Sequence, residues 1–375
     1  MSYIMRIGSL ASFRRFVVAS TFFEAKLGDA INRIGFVQAD PIQSPARAQD
    51  LILRQRVGDY RVGDLDRWYP TADVEEGSLY AYGYLSRADW QLLRPVDPYA
   101  LSRLETAVLT YVAEAGSVGP NDLASLFGRE RATNDWGGQS RVTKLALDRL
   151  HRLGLLRVVG RERGVRRYAT AFPVQGEAPL PEERLRRLVM LVARVLAPVP
   201  VKTLSEEVAR FRRLAAGSPH HRKVISALVD QGALVRRDIA GLPYVWPTGL
   251  PEPDGAGRRV RFLAPFDPIV WDRRRFEHIW GWSYRFEAYT PPQKRLRGFY
   301  AMPLMYDDAV IGWVNLSVVD KALRIERGLV TAEPTKRAFR TAFDDEVSRM
   351  ERFLRCDGEG VRKWPALSAV RKLAK

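Results

Sequence analysis

The chain has a single cysteine, only four histidines and no apolar run of membrane-spanning length. Each scarcity removes a class of protein. With Cys356 alone there is no internal disulfide, which fits a reducing compartment. No uninterrupted stretch of about 18 apolar residues occurs, so a transmembrane helix is not expected. Arg6, Arg14 and Arg15 make the N-terminus basic, but no secretory apolar segment follows them. A cytoplasmic protein without a membrane partner is expected. There is no GxxxxGK[ST] phosphate loop, no GxGxxG turn and no CxxC pair. Of the histidines, His220 and His221 are adjacent at a helix start and diverge, which makes them a poor metal pair. Neither a metal nor a cofactor is expected.

Positive charge is what the chain has in excess. Sixty Lys and Arg stand against 43 Asp and Glu, a formal net charge of +17 over 375 residues. A field of that sign attracts polyanions, and duplex DNA is the densest common one. An anionic membrane surface would serve equally on charge alone. Length suggests two or three domains at roughly 150 residues each.

The clearest organisation is a module present twice. From Ser140, the run SRVTKLALDRLHRLG sets Val142, Leu145, Ala146, Leu150 and Leu153 on one helical stripe. Gly154 follows at the position of a helix-ending glycine, then the strand LLRVV (155–159), a turn with Gly160 and Gly164, and a return strand ending at Tyr168. Helix, glycine, strand, turn, strand is the order of a winged helix. The second copy opens with Ser218 as N-cap and Pro219 as first helical residue, carries Val224, Ile225 and Leu228, and closes on Gly232. Its wing strands are 233–237 and 243–246. Helical segments precede each copy, at 99–115 and 120–127 and at 182–196 and 203–213, with Thr203 and Glu206 as a capping box. Residues 20–34 and 45–56 read as helices of a third, less regular unit, the latter opened by Ser44 and Pro45, and 57–95 is Tyr-rich and mixed. After the linker 247–257, stretches 258–264, 283–289, 297–305, 309–319 and 322–330 suggest a small sheet or barrel. A final amphipathic helix is expected from Pro334 to Arg355.

The basic residues fall on this framework. Arg141, Lys144, Arg149 and Arg152 lie largely off the apolar stripe, and the wing tip adds Arg161, Arg163, Arg166 and Arg167. A winged helix lays its last helix in a groove and its wing beside the backbone, so these are candidate phosphate contacts. Residues 258–297 hold ten Lys or Arg against four Asp or Glu. Arg47, Arg273, Arg274, Arg275, Lys294 and Arg295 complete the candidate set for double-stranded DNA.

The sharpest local feature is GFVQADPIQSPARAQDLILRQR (35–56). Pro41 pushes Asp40 toward an extended conformation. Residues two apart on an extended chain point the same way, about 6.6 Å apart. Gln38 and Asp40 then share a face, with Ala39 turned inward. An amide beside a carboxylate grips one water: Gln38 orients it, and Asp40 accepts its proton or steadies nearby positive charge. The bland alternative is a loop Asp before Pro beside a surface Gln.

At these residues the sequence resembles the bacterial winged-helix crosslink-repair DNA glycosylases of the YcaQ/AlkZ type. Members carry Gln-Φ-Gln or Gln-Φ-Asp, here Gln38-Ala39-Asp40 followed by PARAQDLILR. Two further segments match, WGGQSRVTKLALDRLHRLGLLRV (136–158) and the more specific LAPFDPIVWDRRRFEHIWGWSYRFEAYTPPQKRLRGFYAMPL (263–304). The resemblance covers 30–330. It implies an α+β chain of three tandem winged helices and a C-terminal β-barrel, forming a concave, C-shaped DNA clamp. It also implies excision of N7-alkylated purines and, in some members, unhooking of interstrand crosslinks; since no particular lysine suggests itself as a Schiff-base nucleophile, a monofunctional enzyme is expected. One departure stands out. The crosslink-acting branch carries Trp-Ala-His-Glu after its first domain, whereas Leu79 to Tyr84 (LYAYGY) has no histidine. That histidine's role does not carry over, and Tyr82 and Tyr84 are read as packing residues ahead of base-stacking ones.

The expected domains are an N-terminal winged-helix-like unit with the motif (1–95), a second winged helix (96–175), a third (180–250), the barrel (256–333), and a helix and tail (334–375), acting as a monomer. The rival is a non-catalytic winged-helix transcriptional regulator. It fits charge and repeats equally, but leaves Gln38-Ala39-Asp40 and the C-terminal region unexplained and lacks an evident dimerisation helix.

Overall fold

A computed structural model describes residues 7–95, 100–134, 137–173, 179–251, 258–332, 334 and 337–356. Most of the expected linker and the tail beyond 356 lie outside them, as does the first residue of the expected helix 99–115. The N-terminal part runs α1 (Leu10–Thr21), α2 (Leu27–Ile34), β1 (Val37–Gln38), α3 (Ala48–Leu53), α4 (Asp64–Trp68), β2 (Val74–Ser78), β3 (Tyr82–Ser86) and α5 (Arg87–Leu92). Its sheet has the order β1-β3-β2. The single helix expected over 20–34 is in fact the end of α1 and all of α2, separated by an extended break. The helix expected from 45 starts at Ala48, with Arg47 at its cap. The face of α1 packs Phe13 and Phe16 against Tyr244 and Trp246, far along the chain, with ring centroids of Phe13 and Tyr244 4.7 Å apart.

The two repeated units have the expected order. The first runs α6 (Arg103–Ala115), α7 (Pro120–Leu126), β4 (Arg131–Thr133), β5 (Gln139–Arg141), α8 (Val142–Arg152), β6 (Leu156–Glu162) and β7 (Val165–Thr170). The second runs α9 (Pro181–Leu196), β8 (Val199–Pro200), α10 (Val201–Ala209), α11 (His221–Asp230), β9 (Leu234–Ile239) and β10 (Leu242–Pro247). Gly154 and Gly232 end α8 and α11 at φ 70° and 73°, where a Cβ would be strained. The buried stripe of α8 is Thr143, Ala146, Leu147, Leu150 and His151, rotated from the expected one; Val142, Leu145 and Leu153 are half-buried. The N-cap of α11 is His220, not Ser218. Thr203 lies inside α10 and donates to Asp272 Oδ2 at 2.8 Å, so it forms no capping box. The hairpin β4–β5 was not foreseen.

The C-terminal part holds β11 (Val260–Phe262), α12 (Pro268–Trp271), α13 (Arg273–Trp280), β12 (Met302–Tyr306), β13 (Ala309–Val319), β14 (Ala322–Leu329) and α14 (Arg337–Leu354). The expected barrel is not closed: the four strands form an open sheet in the order β11-β12-β13-β14. Its β11 edge is blunted by side chains. Phe262 N–H donates to Glu346 Oε1 (3.3 Å), Phe262 O accepts from Gln55 Nε2 (3.2 Å), and Val260 O accepts from Arg349 (3.3 Å). Residues 283–289 form no strand. Tyr284 instead packs against Phe276 and Trp282, and Phe286 against Phe266 and Tyr300, the ring centroids of the last pair 5.3 Å apart. Among the described residues no helix is long and apolar enough to cross a membrane, and no group of three or more His, Cys, Asp or Glu is placed to hold a metal.

Candidate active site

The motif Gln38-Ala39-Asp40 follows from a helix stop. Gly35, at φ 84°, ends α2 by donating to Ile31 O at 2.8 Å and turns the chain into β1. β1 pairs antiparallel with β3, placing Val37 opposite Tyr84 and Gln38 opposite Gly83. Ala39 N–H continues the ladder to Tyr82 O at 2.9 Å. The two faces of this strand meet different cores: Val37 joins one with Tyr84 and Tyr69, Phe36 another with α9 and α11. The site is thus anchored from both sides of the fold.

Gly83 is what lets the strands close. A Cβ there would sit 2.3 Å from Val37 O and 2.6 Å from the Phe36 ring. Gly83→Ala is expected to cost about 1–3 kcal/mol through overpacking, read as a lower denaturant midpoint. A midpoint equal to that of the wild type would show that β1 is not held this tightly.

Gln38 is buried, and its Oε1 has no hydrogen-bond partner among the described residues. Asp40 is half-buried. Its Oδ1 accepts the Ile42 N–H at 2.9 Å, and its own N–H meets Gln49 Oε1 at 3.4 Å. Burial pushes its carboxyl above the ordinary aspartate range, partly offset by the Ile42 N–H. Its charge also reaches Tyr300, whose buried hydroxyl has no hydrogen-bond partner among the described residues and is held well above the ordinary phenol range, mainly by burial. Tyr300 escaped the sequence reading because an aromatic in a strand-like stretch looks like core. The site therefore offers a half-buried carboxylate, a buried amide oxygen two residues before it along the strand, and a neutral phenol within reach of the carboxylate's charge. A shallow cleft elsewhere, lined by Leu27, Gly58, Trp68 and Thr71, includes none of these.

The candidate DNA contacts separate into spent and available cations. Arg275 is 1% exposed and donates to the carbonyls of Leu196, Pro198 and Pro268, so it cannot reach a phosphate. Arg161 and Arg166 converge on Glu76, which is fully buried: Arg161 Nη1 to Oε1 is 2.6 Å and Arg166 Nε to Oε2 is 3.3 Å. The wing thus turns two of its arginines inward onto β2. Arg47 pairs with Asp66 at 2.5 Å and Asp50 at 3.4 Å, and Arg167 with Asp122 and Glu162. Arg273 donates to Val270 O and Pro265 O beneath Tyr284, and Arg295 to Thr290 O and Ala288 O. Arg163 and Lys294 are exposed, Arg274 and Lys144 are exposed beside Glu206 and Asp148, and Arg141 donates to Asn121. Exposed cations missed in the sequence cluster in the second repeated unit: Arg212, Arg213, Lys223, Arg236 and Arg237. The runs FRRL, HHRK and VRR were the available signal.

Tyr82 and Tyr84 are packing residues. Tyr84 is fully buried, and Tyr82 donates to Glu76 Oε2 at 2.8 Å under the Arg166 guanidinium. His151 is buried with Nε2 3.0 Å from Glu76 O, its pKa lowered to about 4 by burial.

Among solved structures, the fold is similar to Streptomyces sahachiroi DNA glycosylase AlkZ, with TM-score 0.60 and 15% identity, covering 91% of this chain and 96% of that one. A family model described as DNA glycosylase AlkZ-like matches residues 31–353, a span that takes in the motif strand, both repeated units and the C-terminal sheet. With that match over most of its length, the chain belongs to the AlkZ-like DNA glycosylase family.

Proposed function

We propose that the chain excises N7-alkylated purines from duplex DNA by hydrolysis of the N-glycosidic bond, with Asp40 and Gln38 as its catalytic residues. The observation that carries this reading lies at the end of β1: a half-buried carboxylate two residues after a buried amide whose oxygen has no partner among the described residues. A buried acceptor is expensive to leave unsatisfied, and a bound water is the economical partner.

The chemistry asks little more. A purine alkylated at N7 leaves as a neutral base once the C1′–N9 electron pair moves onto it, so no protein acid is required. Asp40 steadies the oxocarbenium-like sugar and takes the proton from the water that attacks C1′. Gln38 Oε1 accepts the water's other hydrogen and aims it. No lysine stands out as a Schiff-base nucleophile, so the reading is a monofunctional enzyme acting as a monomer. The tandem helix-and-hairpin units are read as winged helices that form an open, C-shaped clamp. Such a clamp would tolerate bulky or crosslinked adducts that a closed flipping pocket excludes. The departure at Leu79–Tyr84 leaves crosslink unhooking as the finer part of the proposal.

The test is incubation with duplex DNA carrying one N7-methylguanine, followed by mild alkali to cut at abasic sites. Strand cleavage dependent on the protein is expected; intact strands despite tight binding would favour the regulator.

Backbone contact is assigned to Arg141, Lys144, Arg163, Arg274, Lys294 and the exposed cations of the second repeated unit. If about six phosphates are met, affinity for duplex DNA should fall by ~10³ between 50 and 200 mM salt. A fluorescence-anisotropy titration reads this, and salt-indifferent binding would remove the electrostatic basis of the interface.

A further inference from the structure

Two arginines at the first strand of the C-terminal sheet share the field of one carboxylate, Glu346, with two further arginines that pair with it directly. Arg259 and Arg261 stand two apart at the start of β11, so their side chains leave the chain on the same face. Arg261 is 9% exposed, Arg259 is half-buried, and the Nε–H of each is buried without a hydrogen-bond partner among the described residues. Neither makes an ion pair among those residues. The Arg261 guanidinium lies 4.5 Å over the Phe22 ring, which shields it from water.

The surroundings add positive charge. Arg349 reaches Val260 O, the carbonyl between the two arginines, at 3.3 Å and Glu346 Oε2 at 3.0 Å, while Arg54 Nη1 meets Glu346 Oε1 at 2.9 Å. Glu346 is fully buried and already engaged by these two arginines and the Phe262 N–H. Arg56 is neutralised by a two-pronged pair with Asp267, at 2.7 and 2.9 Å. The remaining carboxylate acting on Arg259 is the exposed Glu24. Burial and the neighbouring guanidiniums push Arg261 down to about 10, so it still carries its charge at neutral pH. A buried cation is costly unless it is paired and hydrogen-bonded, so an arriving anion would relieve that cost here.

We propose that Arg259 and Arg261, with Arg349 beside them, form a binding site for an anionic phosphate group. Paired planar guanidiniums match phosphate oxygens in geometry, and the half-buried Arg259 is the one of the two more open to an arriving anion. The phosphate comes either from a DNA backbone or from a free phosphate species. The site uses neither Gln38 nor Asp40 and stands whether or not the proposed reaction does.

The experiment titrates the full-length protein with inorganic phosphate at constant ionic strength, chloride serving as the control, by calorimetry. In parallel, the salt slope of duplex DNA binding is measured for wild type, Arg259→Gln and Arg261→Gln. Arg259→Gln, at the more exposed position, keeps the test open if the Arg261 variant fails to fold. Saturable phosphate binding that weakens tenfold or more in Arg259→Gln, with DNA binding unchanged, supports a free phosphate species. A salt slope reduced by about one in Arg259→Gln supports a backbone phosphate, whether or not free phosphate binds. Absence of saturable phosphate binding together with an unchanged slope overturns the proposal, as does phosphate binding that survives both substitutions with the slope unchanged.

Discussion

Asp40→Asn is expected to slow excision of N7-methylguanine by about 10²–10⁴-fold, the usual worth of a positioned acid or base, while leaving affinity for the duplex unchanged. Asparagine keeps the shape and can still accept the Ile42 N–H that fixes the Asp40 side chain. What it loses is the negative charge facing the sugar and the ability to take a proton. The same reasoning sets a pH dependence. Because burial raises the Asp40 pKa, the working carboxylate form should be lost on acidification at a higher pH than for an ordinary aspartate. Wild-type rate should therefore decline below that raised pKa, and the Asn variant should lack this limb. Weakened DNA binding in step with the rate would instead assign Asp40 a structural part.

The second large effect belongs to Glu76. Glu76→Ala is expected to destabilise the protein by about 3–5 kcal/mol, the cost of leaving buried partners of an ion pair uncompensated. Glu76 takes Arg161 through both oxygens, Arg166, and the Tyr82 hydroxyl, while its backbone N–H donates to Tyr69, whose hydroxyl donates to Val158 O. These contacts tie β2 and β3, and through β3 the motif strand, to the β6–β7 hairpin. Beside it Glu75 takes Arg157 and Arg87, both at 2.9 Å. Two adjacent carboxylates on one strand thus receive four arginines from opposite faces. Thermal or denaturant unfolding reads the loss. If Arg161→Gln leaves unfolding unchanged but lowers the salt slope of DNA binding by about one, that arginine serves the phosphate and not the fold.

These arginines show where sequence reading stops. A count of Lys and Arg registers charge but not partner, and nothing local in the sequence marks Glu75 and Glu76 as the buried carboxylates they are in β2. Arg275 likewise becomes internal only because three carbonyls from separate segments converge on it. By contrast, the repeated units were legible because their signals are local: an apolar stripe, a glycine at positive φ and a hairpin, all within a few turns of chain. The N-terminal sheet was not. β1 has two residues, too few for periodicity, and its partner β3 lies on the far side of two helices. The barrel expectation failed for a related reason. Residues 283–289 have strand-like composition, yet Tyr284 and Phe286 are used for aromatic packing, and Glu346, Gln55 and Arg349 finish the sheet edge that another strand would have covered. Gln38 and Asp40 were found through resemblance to a family, since a Gln-Ala-Asp tripeptide carries little information by itself. Their burial, and a Tyr300 hydroxyl within reach of the Asp40 charge, only the folded chain reveals.

The most direct test places two rates and two affinities side by side. Single-turnover excision of N7-methylguanine, and binding to the same duplex, are measured for the wild type and Asp40→Asn. Product from the wild type, its near-loss in the variant, and equal dissociation constants are expected. Equal rates, or wild-type binding without any product, would contradict the assignment of this strand end as a glycosylase centre.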